Sequence, residues 1–235
     1  MDPQYLLDVF EQESVLLDAT LRHHPRLGPL FASCTQAADV GDLRLAYLQL
    51  LKLSADYVQH TVPSLRASGI ALRDGDDEDR RWSAMLLEYA AGESDEQDGY
   101  GHHIWARNDM TALGATAEQL DAPPHPAAVL YGNYFIEDAR RHPYAILGAK
   151  GVLEHLSIRS AIDLSRGILD SGIANARNAI SFIHHHGVLD VDHVRDGDRN
   201  LRQLGPAAHK LRQVLEGAYV TSGAYRAMVH HALAA

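Results

Sequence analysis

Apolar residues recur three and four positions apart along almost the whole chain, and the two-residue alternation of a half-buried strand is nearly absent. A chain patterned in this way buries its apolar stripes by packing helix on helix. Residues 3–24 carry Leu6, Phe10, Leu17 and Leu21 in helical spacing, with Pro3 suited to a first turn. Pro25, Gly28 and Pro29 break the pattern. Asp42 is a candidate cap for a second helix to about Val62, which Pro63 interrupts before it resumes to about Leu72. A long third helix is expected from about Asp77 to Leu113, kinked by Gly92, Gly99 and Gly101 and stopped by Gly114. After the breaker at Asp121–Pro126, a short helix covers about 127–141. A fifth opens at Pro143 and ends near Asp170, a sixth runs from about Ile173 to Leu204, and a seventh from Pro206 to about residue 233. No internal repeat or low-complexity linker divides the chain, so the expectation is one all-α domain over residues 1–235 with about seven helices.

Composition excludes several classes. A chain 46% hydrophobic and 22% charged is neither disordered nor collagen-like. Lys and Arg number 21 against 31 Asp and Glu, and a net charge of −10 is the wrong sign for a nucleic-acid-binding domain. The single Cys34 allows no internal disulfide and no four-cysteine zinc cage, and fits a reducing, cytoplasmic setting. The acidic start Met1-Asp2-Pro3-Gln4 is not that of a secretory signal peptide. No apolar run approaches the roughly 18 residues of a membrane span, so no membrane partner is expected. The 15 histidines point toward metal, because imidazole is the commonest protein metal ligand.

Three stretches carry chemistry. In the sixth predicted helix His186, Asp190 and His193 stand at i, i+4 and i+7, on one face. That face continues backward to Ile183 and Ala179, so the polar stripe prolongs an apolar one and points inward. A buried His-Asp-His stripe is costly unless paired or ligated. His184 and His185 face away on the same reckoning. In the fifth helix Glu154 interrupts the apolar face Leu147, Gly151, Ile158, Ala161, and needs a metal or a cation such as Arg159 or Arg166. In the third, Glu96 and His103 lie two turns apart on one face, while Asp98 and His102 form a competing pair. A solvated acidic face is the plainer meaning of this last run. Helical bundles build di-iron carboxylate sites from inward Glu and His on facing helices, although the paired Glu-x-x-His motifs of the ferritin-like version are absent here.

Together these residues resemble the haem-oxygenase-like diiron oxidases and oxygenases, iron-containing redox enzymes related in fold to the quinone-cofactor oxidase and thiaminase-like proteins. The resemblance rests on His186-x3-Asp190-x2-His193, on Glu154 in its Leu-Glu-His-Leu-Ser context, and on Glu96 with His103. It is sharpest over 93–114 and 144–194. Gly101-His102-His103-Ile104-Trp105 is also similar to a Gly-His-x-x-Trp feature of many relatives, an alignment that makes His102 the ligand instead. The resemblance implies a seven-helix haem-oxygenase-like bundle, often dimeric, with two Fe(II) ions and O2 as co-substrate. It places His103 or His102 with Glu96 and His193 around one iron, and Glu154, His186 and Asp190 around the other. Some relatives take a further carboxylate from upstream, for which Glu93, then Glu88, are the candidates. The implied reaction is oxidation of a small amino-acid or amine-derived substrate, by N-oxygenation, C–C cleavage or desaturation, with a possible external reductant. Tyr131, Tyr134 and Tyr144 are candidates for a pocket wall, and Lys150 and Arg159 for meeting a substrate carboxylate. The rival implications are a cofactorless oxidase or thiaminase-like hydrolase, a haem oxygenase using His23 or His24, and a non-catalytic iron-binding protein.

Overall fold

The computed structural model describes residues 2–32, 39–95 and 101–233. Every regular element among them is helical: α1 (Pro3–Arg22), α2 (Val40–Val58), α3 (Thr61–Leu72), α4 (Asp77–Asp95), α5 (His103–Ala112), α6 (Ala117–Leu120), α7 (Pro126–Ile136), α8 (Ala145–Asp170), α9 (Ser181–Leu201) and α10 (Ala208–Ala232), with short 3-10 turns at Gly28–Phe31 and Ala176–Asn178. None is long and apolar enough to cross a membrane.

The segments follow the sequence pattern with local corrections. The Asp2 side chain caps α1 by accepting from the Gln4 N–H at 2.8 Å, and Pro3 opens the first turn. Asp39, rather than Asp42, caps α2, accepting from the Asp42 N–H at 3.0 Å. The break between α2 and α3 falls at Gln59–His60, upstream of Pro63. Pro63 then lies in the first turn of α3, where its missing N–H costs nothing. The expected third helix is two helices, α4 and α5; Gly99 and Glu96 lie outside the described residues. Gly114 adopts φ +76 and ends α5, its N–H reaching Thr111 O while that of Ala115 reaches Met110 O.

The expected sixth helix starts later, at Ser181 instead of Ile173. The preceding chain turns through Gly172 at φ +78 and Asn175 at φ 62. The start of α9 is then fixed from another helix: Asp109 of α5 accepts from the Ser181 hydroxyl at 2.6 Å and from the Phe182 N–H at 2.8 Å. A carboxylate there satisfies an orphan N–H and opposes the positive end of the helix. It also ties the last turn of α5, two turns beyond His102, to the start of α9.

The central element is α8, packed against α1, α9 and α10. Its contact with α10 is backbone on backbone: a Cβ added at Gly148 would stand 2.0 Å from Val214 O, and one at Gly217 would stand 1.9 Å from Ala145 O. Against α9 the register is antiparallel, with Ala161 opposite Gly187 and Lys150 opposite Gly197. The same register sets Glu154 across from Asp190 and His193.

Candidate metal centre

Four elements converge on one buried cluster: α4 supplies Tyr89 and Glu93, the residue preceding α5 is His102, α8 supplies Lys150 and Glu154, and α9 supplies His186, Asp190 and His193. Glu93, His102, Glu154 and Asp190 are each less than 9% exposed.

The donor atoms fall into two trios. In the first, His102 Nδ1 is 3.2 Å from Glu93 Oε2 and 3.2 Å from His186 Nε2. In the second, His193 Nδ1 is 3.2 Å from Asp190 Oδ1 and 3.8 Å from Glu154 Oε1, and one ligand atom from each of these residues lies within 4.8 Å of the others. Glu93 joins the trios, its other oxygen lying 3.9 Å from His193 Nδ1.

The surroundings orient these donors. His186 Nδ1–H donates to Phe182 O at 2.7 Å, which leaves Nε2 as the lone-pair nitrogen facing the cluster. The His102 ring stacks on Trp105, with centroids 4.2 Å apart. Tyr89 donates its hydroxyl to Glu154 Oε1 at 2.7 Å, and the tyrosine oxygen lies 3.1 Å from His193 Nδ1. Lys150 Nζ donates to Glu154 Oε2 at 2.8 Å and sits 4.4 Å from the centre of the Tyr89 ring.

The electrostatics show a deficit of positive charge. Burial pushes the Glu154 carboxyl above the ordinary glutamate range despite Lys150, and the Asp190 charge adds to the rise. Burial does the same to Glu93, against the pull of Tyr89, His193 and His186. Burial lowers His186, favouring the neutral imidazole that a metal requires. His193 is raised by its hydrogen bond to Asp190 and by Glu154 and Glu93, which outweigh burial.

Of the residues singled out in sequence, His186, Asp190, His193, Glu154 and His102 are together, and Glu93 is with them. Glu96 and Asp98 lie outside the described residues. His103 lines a recess with Arg66 and Pro63 whose wall also includes Glu93 and His102, but no donor contact joins its ring to the trios among the described residues. The grouping also differs: His186 lies with His102, and His193 with Glu154 and Asp190. The cation meeting Glu154 is Lys150, whereas Arg159 pairs with Glu11 and Arg166 with Asp163. His185 does not face away: its ring packs 4.9 Å from that of Trp105. Of the three tyrosines, only Tyr131 lines a cavity at the cluster; Tyr144 bonds Asp79 and Tyr134 stacks on His142. Tyr89 escaped the sequence reading because a tyrosine on an amphipathic helix looks like packing. Its one sequence signal is its place four residues before Glu93, on the same helix face.

Besides the recess that His103 lines, two cavities meet at the cluster. A largely apolar one of about 130 Å³ runs between α2, α3, α8 and α9. A larger one of about 400 Å³ lies between α4, α8 and α9. Tyr89, Glu93, Lys150 and Glu154 line both.

Three carboxylates and three imidazoles with no thiolate form a hard donor set that suits Fe(II) or Mn(II) rather than a copper(I) or thiolate-zinc site. Burial holds Glu93 and Glu154 above their ordinary range, a penalty that a divalent cation would offset, so these residues fit iron.

An all-helical bundle with such a cluster at its centre is the haem-oxygenase-like architecture, and the solved structures agree. A domain of unknown function with a heme oxygenase-like fold from Shewanella denitrificans superposes with a TM-score of 0.77 at 14% identity, covering 99% of this chain and 92% of that one. A TenA homologue from P. horikoshii gives 0.64 at 14% identity, covering 97% and 98%. A CADD-like protein of unknown function from Nostoc punctiforme gives 0.61 at 14% identity, covering 98% and 95%. These likenesses establish the fold. The iron-containing redox enzyme family model matches residues 47–226, and the chain belongs to that family. No curated protein matches it.

Proposed function

We propose that this protein is a non-haem diiron oxidase or oxygenase that uses O2 to oxidise a small amino-acid or amine-derived substrate. The observation that carries the reading is the pair of donor trios joined by Glu93. Glu93, His102 and His186 would hold one Fe(II), and Glu154, Asp190 and His193 the other, with Glu93 placed to bridge. When bound, two Fe(II) ions supply the electrons and Lewis acidity for O2 activation.

The chain's own residues prepare the site. Phe182 O fixes the His186 tautomer, and Trp105 holds the His102 ring in plane. The Tyr89 hydroxyl aims one oxygen of Glu154, and Lys150 holds the other. Lys150 thereby offsets a buried carboxylate and becomes available to a substrate anion once Glu154 is engaged elsewhere. Apolar walls exclude water and position one substrate bond beside the donors. An external reductant completes any cycle in which the substrate does not supply all the electrons.

Anaerobic Fe(II) titration of the metal-free protein, followed by rapid mixing with O2 and optical detection, tests the reading. Uptake of about two irons per chain and an O2-dependent visible change are expected. His186→Ala and Asp190→Ala should each lose one iron while keeping full helicity by circular dichroism. Unchanged iron content in both variants would overturn the ligand set. Absence of iron uptake by the unaltered protein would move the assignment to a metal-free oxidase or hydrolase of the same fold.

A further inference from the structure

The apolar cavity has a shape as well as a composition. Its lining positions on α8 include Lys150, Leu153, Glu154, Ser157, Ala161 and Leu164, which share one helical face. Fourteen rises of roughly 1.5 Å from Lys150 to Leu164 make that stretch about 20 Å long. On α9 the antiparallel lining runs from Asp190 through His186 to Ile183 and Phe182. Leu50 and Val58 of α2 and Leu65 of α3 close the opposite side. A volume of about 130 Å³ drawn out along such a face is a narrow tunnel, not a round pocket. Its ionisable walls other than tyrosine are confined to the metal end.

The second cavity differs. It adjoins the same four residues but carries the polar side chains of Glu88, His155, His193, Asp196, Asp198 and Asn200, with Asp198 facing His155 and Asp196 facing Arg195 and Arg199. Lys150 is the one Lys or Arg among the described residues that line either space.

Resting on the diiron reading above, we infer that the substrate is an amino acid bearing an unbranched aliphatic side chain, with its tail in the tunnel and its zwitterionic head toward the second cavity. The tail runs along Ser157 and Ala161 toward Leu164. Lys150 meets the carboxylate, the acidic wall complements the ammonium, and the carbons next to the head lie beside the metal donors. Branched or ring-bearing side chains are disfavoured, because the tunnel has width for one chain. Each methylene that leaves water for this wall adds to affinity until the tunnel is filled.

Calorimetric titration with norvaline, norleucine, 2-aminooctanoate and 2-aminodecanoate tests the inference. Each ligand is titrated anaerobically into the Fe(II)-loaded protein and into the metal-free protein, with iron content measured separately. Affinity should rise about fourfold per added methylene. Two variants narrow the tunnel from opposite walls, Ser157→Leu on α8 and Val58→Phe on α2. The Ser157 hydroxyl has no hydrogen-bond partner, so its replacement removes no bond that the fold uses. Melting temperature verifies that each variant folds. Either folded variant should bind 2-aminodecanoate at least about tenfold more weakly and flatten the chain-length series, with a smaller loss for norvaline. A flat chain-length series, or an unaltered slope in the folded variants, overturns the inference. Failure to take up iron overturns the diiron reading instead, and the two results are read from separate measurements.

Discussion

Helix α4 carries a cluster of buried charge at each end, and the two clusters are opposites. At its start, Lys210 of α10 is almost fully buried among carboxylates, 2.7 Å from Asp79, 3.0 Å from Glu78 and 3.3 Å from Asp76. The Tyr144 hydroxyl donates to Asp79 at 2.7 Å, and Glu78 accepts from the Gly205 N–H at 2.6 Å. Burial raises the Asp79 carboxyl, but Lys210, Tyr144 and the Asp76 backbone outweigh it and leave it below the ordinary range. This clasp is complete: it holds the starts of α4, α8 and α10 together and asks for no ligand. At the other end of α4, Glu93 joins Glu154 and Asp190 with one lysine nearby, and Glu93 and Glu154 sit above their ordinary range. The acids at the start of α4 are partly exposed and have a cation built in, whereas Glu93 and Glu154 are buried and share one lysine, so burial and counter-charge together set the opposite shifts. The contrast marks the second cluster as a cation seat rather than a structural ion pair.

The sharpest way to break that contrast is to remove a donor from the seat. His102→Ala should weaken Fe(II) binding about a hundredfold, a loss of about 2.7 kcal/mol, whereas His103→Ala should leave it unchanged. Equal losses in an Fe(II) titration would contradict the separate placement of the two rings. Next in size, Lys210→Met should destabilise the protein by about 2 kcal/mol in urea unfolding, because it leaves carboxylates clustered without their counter-charge in a partly solvated setting. Its iron stoichiometry should not change. A Lys210→Met protein as stable as the original would mean that the clasp contributes nothing.

The two ends should also respond oppositely to pH. Glu93 has a raised carboxyl in the folded state, so between its ordinary value of 4.5 and its folded value the native state holds a proton that the unfolded chain has released. Stability contributed by the protonated form is therefore lost as pH rises through that window. Glu93→Gln should make the metal-free protein more stable by about 1 kcal/mol at pH 7.5 and by nothing at pH 4, where both states are protonated. Asp79 of the clasp runs the other way: its contribution is present above its ordinary value of 3.8 and fades as pH falls through its lowered value. Denaturant unfolding of the metal-free protein at several pH values measures both, and a Glu93→Gln gain that is constant with pH would remove the desolvation argument. The smallest effect is expected at Arg159, which pairs with half-exposed Glu11. Arg159→Ala should cost no more than about 0.5 kcal/mol and leave iron binding intact.

The parts of this molecule governed by local pattern were legible in sequence. Proline and glycine marked most helix ends, and the i, i+4, i+7 spacing of His186, Asp190 and His193 gave the donor stripe on α9 before any tertiary information. Glu154 was legible because a carboxylate broke an apolar face. What sequence could not reach depended on the phase of one helix against another. His102 and His103 are neighbours, and only the placement of α5 relative to α9, set by Asp109 reaching Ser181 and Phe182, decides which ring turns inward. Lys150 reads in sequence as a candidate for a substrate carboxylate rather than as the partner of Glu154, and Tyr89 carries no signal beyond its place before Glu93. Their roles come from a register between α4, α8 and α9 that no periodicity encodes. The late start of α9 has the same origin, since the signal for it is a carboxylate more than seventy residues away in the chain.

The glycines of α8 have a mechanical consequence. With Gly148 against the backbone of α10 and Gly167 pressed on Leu30 O, where an added Cβ would stand 1.5 Å away, this helix has no slack along its axis. It is the anvil of the bundle. Glu154 therefore keeps its station whatever binds, and any adjustment to a metal or a longer ligand falls to the helices facing it. Of these, α4 leans chiefly on α3, so its Tyr89 and Glu93 ride on a pair of helices packed on each other. The start of α4 is pinned to α8 and α10 by the clasp, so any adjustment of this pair falls at the Glu93 end, where it changes the distance across the donor trios. The protein thus has a fixed gauge on one side of its reactive centre and an adjustable one on the other.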